Sequence, residues 1–145
     1  MKVKFVKLRD NAHIPTQGSV RSAGCDLYAA IDEEIVIREG SWMPIPTGLA
    51  ITPPEGYFGA IFARSGLSIK KGLRPANCVG VCDEDYTGEY IVALRNDSDS
   101  AETVQPGDRI AQLVFLPYLN VEFEEVDSLD ETERGSGGFG STGTN

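Results

Sequence analysis

The chain has 145 residues, a net charge of −9 and a pI near 4.5. That is one domain's worth of chain, able to bury about 68–70% of its unfolded surface. No stripe of lysine and arginine runs through it, which argues against a nucleic-acid polymer or an anionic membrane as partner but leaves room for a small anion met by a local cluster of donors.

No apolar run approaches the length that spans a bilayer. Met1–Leu8 is too short and too alternating for a secretory signal. Cys25, Cys78 and Cys82 are odd in number and irregular in spacing. They read as free thiols of a reducing compartment, the cytoplasm or, in a eukaryote, the nucleus. His13 is the only histidine and there is no Cys-x-x-Cys, so a zinc site and a His-dependent nucleophile are set aside.

In chain order, Lys2–Leu8 nearly alternates, as a half-buried strand does. Glu34–Arg38 is a second β-type run, stopped by Glu39-Gly40. Met43-Pro44-Ile45-Pro46 leads into Gly48–Thr52, and Tyr57–Ala63 follows the Pro53-Pro54-Glu55-Gly56 break. Around Ser65–Lys71 a short helical turn is the nearest approach to a helix, limited by Gly66 and Gly72. Val79–Val81 and Tyr90–Val92 flank an acidic turn and read as a β-hairpin. Glu89–Arg95, Ile110–Phe115 and Val121–Val126 complete the strands, punctuated by Asn96–Ser100 and Gln105–Asp108. Many short strands at near-regular spacing predict an all-β sandwich or barrel. After Asp130 the composition shifts, predicting a domain over residues 1–130 and a tail over 131–145.

The tail, Arg134-Gly-Ser-Gly-Gly-Phe-Gly-Ser-Thr-Gly143, is too glycine-rich for a stable helix or strand and should be mobile alone. It nevertheless holds Arg134, with a forked set of donors, and Phe139, with a flat face for a base. Together with Gly/Ser backbone N–H groups these describe an arm closing over a nucleotide. A tail without a role is the plain alternative.

In the acidic turn Asp83, Glu84 and Asp85 stand beside Tyr86. They form either a solvated surface or a cleft in which one carboxylate activates water. Arg64-Ser65-Gly66, after a strand, has the donors to hold a phosphate. Asp26 is the one acid in the small and apolar run Ala23–Ala30: a turn aspartate, or a group near a metal's water shell. Gln112 is the polar exception on the strand that follows Gly107-Asp108.

These five segments, taken in chain order, resemble the five motifs of the trimeric deoxyuridine triphosphatase (dUTPase) family, from Ala23 to Gly143. The resemblance implies an all-β, distorted jelly-roll-like β-barrel with a flexible C-terminal arm. It implies a homotrimer with active sites at subunit interfaces, and Mg2+-assisted hydrolysis of dUTP to dUMP and pyrophosphate by water attack on the α-phosphorus. Such an activity limits uracil incorporation into DNA and supplies dUMP for thymidylate synthesis. By the same resemblance, Asp83 is the base and Tyr86 packs on deoxyribose, leaving no room for a 2′-hydroxyl. Asn77, Gly80, Val81, Cys82 and Ile91 read the uracil. Arg64, Ser65, Gly66 and Gln112 hold the phosphates, and Asp26 meets Mg2+ through water. From the arm, Arg134 reaches the phosphates, Phe139 stacks on uracil, and Gly140, Ser141 and Thr142 add donors. Two positions depart from the pattern: Cys82 where an aliphatic residue is usual, and Ala63 where proline precedes the arginine. The rival readings are a deoxycytidine triphosphate deaminase of related fold and a non-catalytic nucleotide-sensing regulator. The Asp83-x-x-Tyr86 pattern weighs against the first, and the presence of Asp83, Arg134 and Phe139 against the second.

Overall fold

The computed structural model describes residues 1–138. Eleven strands and one short helix follow one another: β1 (Lys4–Lys7), β2 (Thr16–Gln17), β3 (Cys25–Tyr28), β4 (Ile35–Ile37), β5 (Trp42–Thr52), β6 (Tyr57–Phe62), α1 (Ser65–Lys71), β7 (Leu73–Pro75), β8 (Gly80–Cys82), β9 (Glu89–Asn96), β10 (Glu102–Val104) and β11 (Arg109–Pro117). They form a four-stranded sheet in the order β1-β5-β9-β7, a five-stranded sheet in the order β2-β3-β11-β6-β8, and the two-stranded ribbon β10-β4. All pairings are antiparallel. The fold is thus the all-β, jelly-roll-like one expected. Among the described residues the barrel is not closed: β1, β7, β2 and β8 remain as sheet edges.

Strand alternation builds the core. In β9, Tyr90, Val92, Leu94 and Asn96 point inward while Ile91 and Arg95 point outward. They meet Leu27, Ile37, Ile45, Leu49, Leu73, Ile110 and Leu113, all essentially inaccessible to solvent. Asn96 enters this core at no unpaired cost. Its amide donates to the carbonyls of Ile37 and Ser100 and accepts from the Ser98 N–H and hydroxyl, using all four of its sites.

Met43–Thr52, interrupted in sequence by two prolines and a glycine, is one strand. Pro44 and Pro46 pair with β9 on one side only, because β1 covers just Leu49–Thr52. Prolines tolerate such a one-sided position. Between them and β1 the ladder slips by a bulge at Gly48, whose φ is 68°. A Cβ there would also lie 2.7 Å from the Ala12 Cβ. Buried Thr47 repairs the bulge by donating its hydroxyl to the Tyr90 carbonyl at 2.6 Å.

Three expectations change. β8 and β9 do not form a ladder-paired hairpin: β8 pairs with β6, and β9 already has β5 and β7 as neighbours. The acidic turn between them is a corner joining the two sheets. Val121–Val126 is not a strand, since no edge of its own chain takes it, and Val121, Phe123 and Val126 are exposed. β1, expected to be half-buried, is exposed at every residue: Val6 faces solvent, while Phe5, in register with buried Ile51, borders an apolar recess with Val3, Leu113 and Phe115 and is still 41% exposed.

Candidate active site

Strand register gathers the phosphate-type residues. Gln112 of β11 lies opposite Asp26 of β3 on one side and Phe62 of β6 on the other. A bulge between Arg109 and Ala111 turns both Ile110 and Ala111 inward, which leaves Arg109 and Gln112 on the same outer face. β6 runs on through Ala63 into α1, so Arg64, Ser65 and Gly66 stand at the head of the helix. The result is a cleft of about 450 Å³ lined by Gly18, Ser22, Gly24, Asp26, Arg64, Ser65, Gly66, Arg109 and Gln112.

Within it the side chains are mutually fixed. Arg64 Nε donates to Asp26 Oδ1 at 2.7 Å and Arg64 Nη1 to the Arg109 carbonyl at 3.2 Å. Arg109 Nη1 donates to Asp26 Oδ2 at 3.2 Å. Gln112 Nε2 donates to the Ala63 carbonyl at 2.8 Å, and its amide crosses so close to Gly24 that a Cβ there would lie 2.5 Å from Oε1. The cleft therefore presents two guanidinium groups and one carboxylate, with open space above Gly66. That balance suits a polyanion. Arg109 was not singled out in the sequence; only the bulge, which turns it to the Gln112 face, brings it to Asp26.

Asp83 lies elsewhere. Cys82 is in register with Gly59, and Arg64 follows Gly59 by five residues of extended chain. At about 3.3 Å per residue the two ends are roughly 16 Å apart. Asp83 belongs to a different cleft, of about 540 Å³, lined by Phe58, Val81, Asp83, Glu84, Asp85 and Tyr118. Its three acids are not equivalent. Glu84 Oε2 accepts from the Gly56 N–H and the Tyr118 hydroxyl, both at 2.8 Å, and this hydrogen bond pushes the Tyr118 phenol above its ordinary pKa. Asp83 and Asp85 are exposed and carry no side-chain hydrogen bond among the described residues.

Beside Asp83, Tyr86 is tied by its hydroxyl to the Glu89 carbonyl at 3.0 Å, and its N–H to the Asp83 carbonyl at 3.1 Å. Tyr86, Val81 and Ile91 are exposed, while Gly80 is buried beside Asn77: a Cβ on Gly80 would stand 3.5 Å from Asn77 Nδ2. Arg134 is brought to neither cleft; it sits exposed in a turn, Nε donating to the Gly137 carbonyl. Phe139, Gly140, Ser141 and Thr142 lie outside the described residues.

A family model described as dUTPase matches residues 10–143. The chain belongs to the dUTPase family. It is 49% identical to a deoxyuridine 5'-triphosphate nucleotidohydrolase of Desulfitobacterium hafniense over 144 residues, covering 99% of this chain and 95% of that one. Among solved structures it resembles a mutant dUTPase of Staphylococcus bacteriophage 80alpha with dUpNHpp, at a TM-score of 0.90 and 27% identity over 99% of both chains. It also resembles a mutant dUTPase of phage phi11 of S. aureus whose structure is described as showing coordination of a structural Mg(II) ion. There the TM-score is 0.77 and the identity 26%, over 88% of this chain and 98% of that one. For a dUTPase-family chain the division into two clefts is the feature that most needs a functional account.

Proposed function

We propose that this chain hydrolyses dUTP to dUMP and pyrophosphate, and that each active site is built from more than one subunit of a homotrimer. Family membership and the named relatives support the reaction and weigh against the deaminase. The observation that carries the shared site is the separation of the phosphate-type cleft from Asp83 along β6. No single chain, so arranged, brings the two together. A second copy supplies the missing half. The exposed apolar side chains of Leu119, Val121, Phe123, Val126 and Leu129, set among acids, and the exposed β1 support an assembly that covers them.

In this reading Arg64, Ser65, Gly66 and Gln112 hold the triphosphate of one subunit's site. Asp83 of a second subunit takes the proton of a water attacking the α-phosphorus. Tyr86 walls the deoxyribose, while Asn77, Gly80, Val81, Cys82 and Ile91 read the uracil edge. Residues 1–130 form the body and 131–145 the arm. There Arg134, Phe139, Gly140 and Ser141 close the site and exclude bulk water. Phosphoryl transfer asks mainly for positioning and charge neutralisation, which two arginines and an arm supply.

Mg2+ suits this site only through water. Among the described residues no three His, Cys, Asp or Glu side chains converge. Each Asp26 oxygen already accepts from an arginine and keeps a lone pair for a bound water. When bound, Mg2+ neutralises triphosphate charge. No helix among the described residues is long and apolar enough to cross a membrane, and Cys25, Cys78 and Cys82 are free thiols. With bacterial relatives, these support a cytoplasmic site of action.

The test is product release across the nucleoside triphosphates. Pyrophosphate from dUTP, with the oxygen of heavy-oxygen water recovered in dUMP, is the expected result. Ammonia from dCTP would replace this reading with the deaminase, and label in pyrophosphate would move the attack to the β-phosphorus.

A further inference from the structure

Among the described residues, Glu84 is the one acid of the corner between β8 and β9 that is bonded through its side chain, and it is half-buried while Asp83 and Asp85 are exposed. Its Oε2 accepts from the Gly56 N–H and from the Tyr118 hydroxyl, both at 2.8 Å. Tyr118 in turn donates its N–H to the Gly56 carbonyl at 3.2 Å. These three contacts close a ring that joins the turn between β5 and β6, the chain just past the end of β11, and the corner that carries Asp83. The first of these is itself fixed. Tyr57 N–H donates to the Pro54 carbonyl at 3.0 Å, and Gly56 stands at φ 75° in the third position of that β-turn. Three acids in a row read by themselves as a solvated turn. A carboxylate that collects donors from two other segments is a structural tie.

Asp83 has no tie of its own. Its carboxylate takes no side-chain hydrogen bond among the described residues, so its aim is set by its backbone. On one side of it Cys82 is held in register with Gly59. On the other, the Asp83 carbonyl accepts from the Tyr86 N–H at 3.1 Å, and Glu84 is fastened to Gly56 and Tyr118. Release of Glu84 removes the side-chain restraint nearest to Asp83.

We propose that Glu84, latched by Tyr118 and the Gly56 N–H, is a positioning residue that holds the Asp83 carboxylate in the place from which it takes the proton of water. This rests on the reading of Asp83 as the base. Neither Glu84 nor Tyr118 takes part in the proton transfer; both act through the backbone of the corner.

The experiment is steady-state kinetics on dUTP with the full-length enzyme, kcat and KM being read separately. Tyr118→Phe removes one hydroxyl and keeps the ring. It lowers kcat by about tenfold and moves KM by less than about twofold, since a misaimed base slows the reaction without weakening binding. Glu84→Ala lowers kcat at least as much. The double variant stays within about twofold of Glu84→Ala, because the Tyr118 hydroxyl has already lost its acceptor. Glu84→Gln keeps an oxygen with two lone pairs and holds kcat within about threefold of wild type. If Glu84→Gln is as slow as Glu84→Ala, the charge matters and the latch is wrong. Losses that multiply in the double variant overturn the pairing of Glu84 with Tyr118. A lower melting temperature with kcat unmoved means packing alone and overturns the proposal as well. Asp83→Asn tells the two readings apart. If it abolishes turnover while Tyr118→Phe and Glu84→Ala leave kcat unmoved, the base stands and the latch falls. If Asp83→Asn turns over normally, the base is wrong and the proposal goes with it.

Discussion

At the scale of the residue, the chemistry depends on small differences among neighbouring groups. Asp83, Glu84 and Asp85 look alike in sequence, yet Glu84 is committed to Gly56 and Tyr118. Asp83→Asn should keep dUTP binding and lose about 10²- to 10⁴-fold in kcat, because an amide positions a water but takes no proton. Steady-state kinetics and a binding titration check this, and near-normal turnover would transfer the role to Asp85. Buried ionisable groups set a second expectation. Burial pushes the Cys82 thiol above 9.0 and the Tyr90 phenol above 10.0. Both hold their protons longer folded than unfolded, so their contribution to stability is complete below those values and declines as pH rises through and beyond them. Thermal melting should thus fall steadily above about pH 9, and a flat profile to about pH 10.5 would contradict the burial of this pair. The residue types at Asp26, Arg64 and Gln112 were legible because a lone polar group in an apolar run stands out. Arg109 was not, since only the β11 bulge turns it to the same face as Gln112.

At the scale of the element, the sequence displayed strands well and their partners poorly. Period-two alternation marks β9 and β11 locally, whereas pairing depends on which edges remain free. The acidic turn looked like a hairpin because two β-type runs flank it. It became a sheet-to-sheet corner because β9 had both neighbours already. The same logic leaves Val121–Val126 without a partner in its own chain. Gly48 and Gly40 allow a controlled test of the β5 bulge. Both have φ 68°, but a Cβ at Gly48 meets Ala12 at 2.7 Å and at Gly40 meets nothing within 4 Å. Gly40→Ala should cost about 1 kcal/mol and Gly48→Ala clearly more, about 3 kcal/mol, in denaturant unfolding. Equal losses would remove the close approach as the reason for glycine. For the arm, a chain ending at Glu133 should retain fold and assembly by circular dichroism and light scattering. It should nevertheless lose most of its dUTP turnover, because Arg134 and the closing ring go with it. Full activity would leave the tail without the role assigned to it.

At the scale of the whole molecule, one chain holds two separate clefts at opposite ends of β6, and apolar side chains from Leu119 to Leu129 that its own fold leaves exposed. The chain's membership of a family was legible from five short segments in order. Their spatial division was not, because sequence order carries no information about which ends of a strand the motifs occupy. The measurement that bears most directly on the shared site mixes two inactive forms, Asp83→Asn and Arg64→Ala, by co-refolding at equal amounts. Heterotrimers are confirmed by differential tagging. If one subunit supplies the phosphate cleft and another supplies Asp83, about a quarter of the sites in random trimers combine two intact halves, and activity should recover to about that fraction of wild type. Activity no higher than that of the separate parents, in verified heterotrimers, would mean that each chain completes its own site and that the division along β6 has no functional meaning.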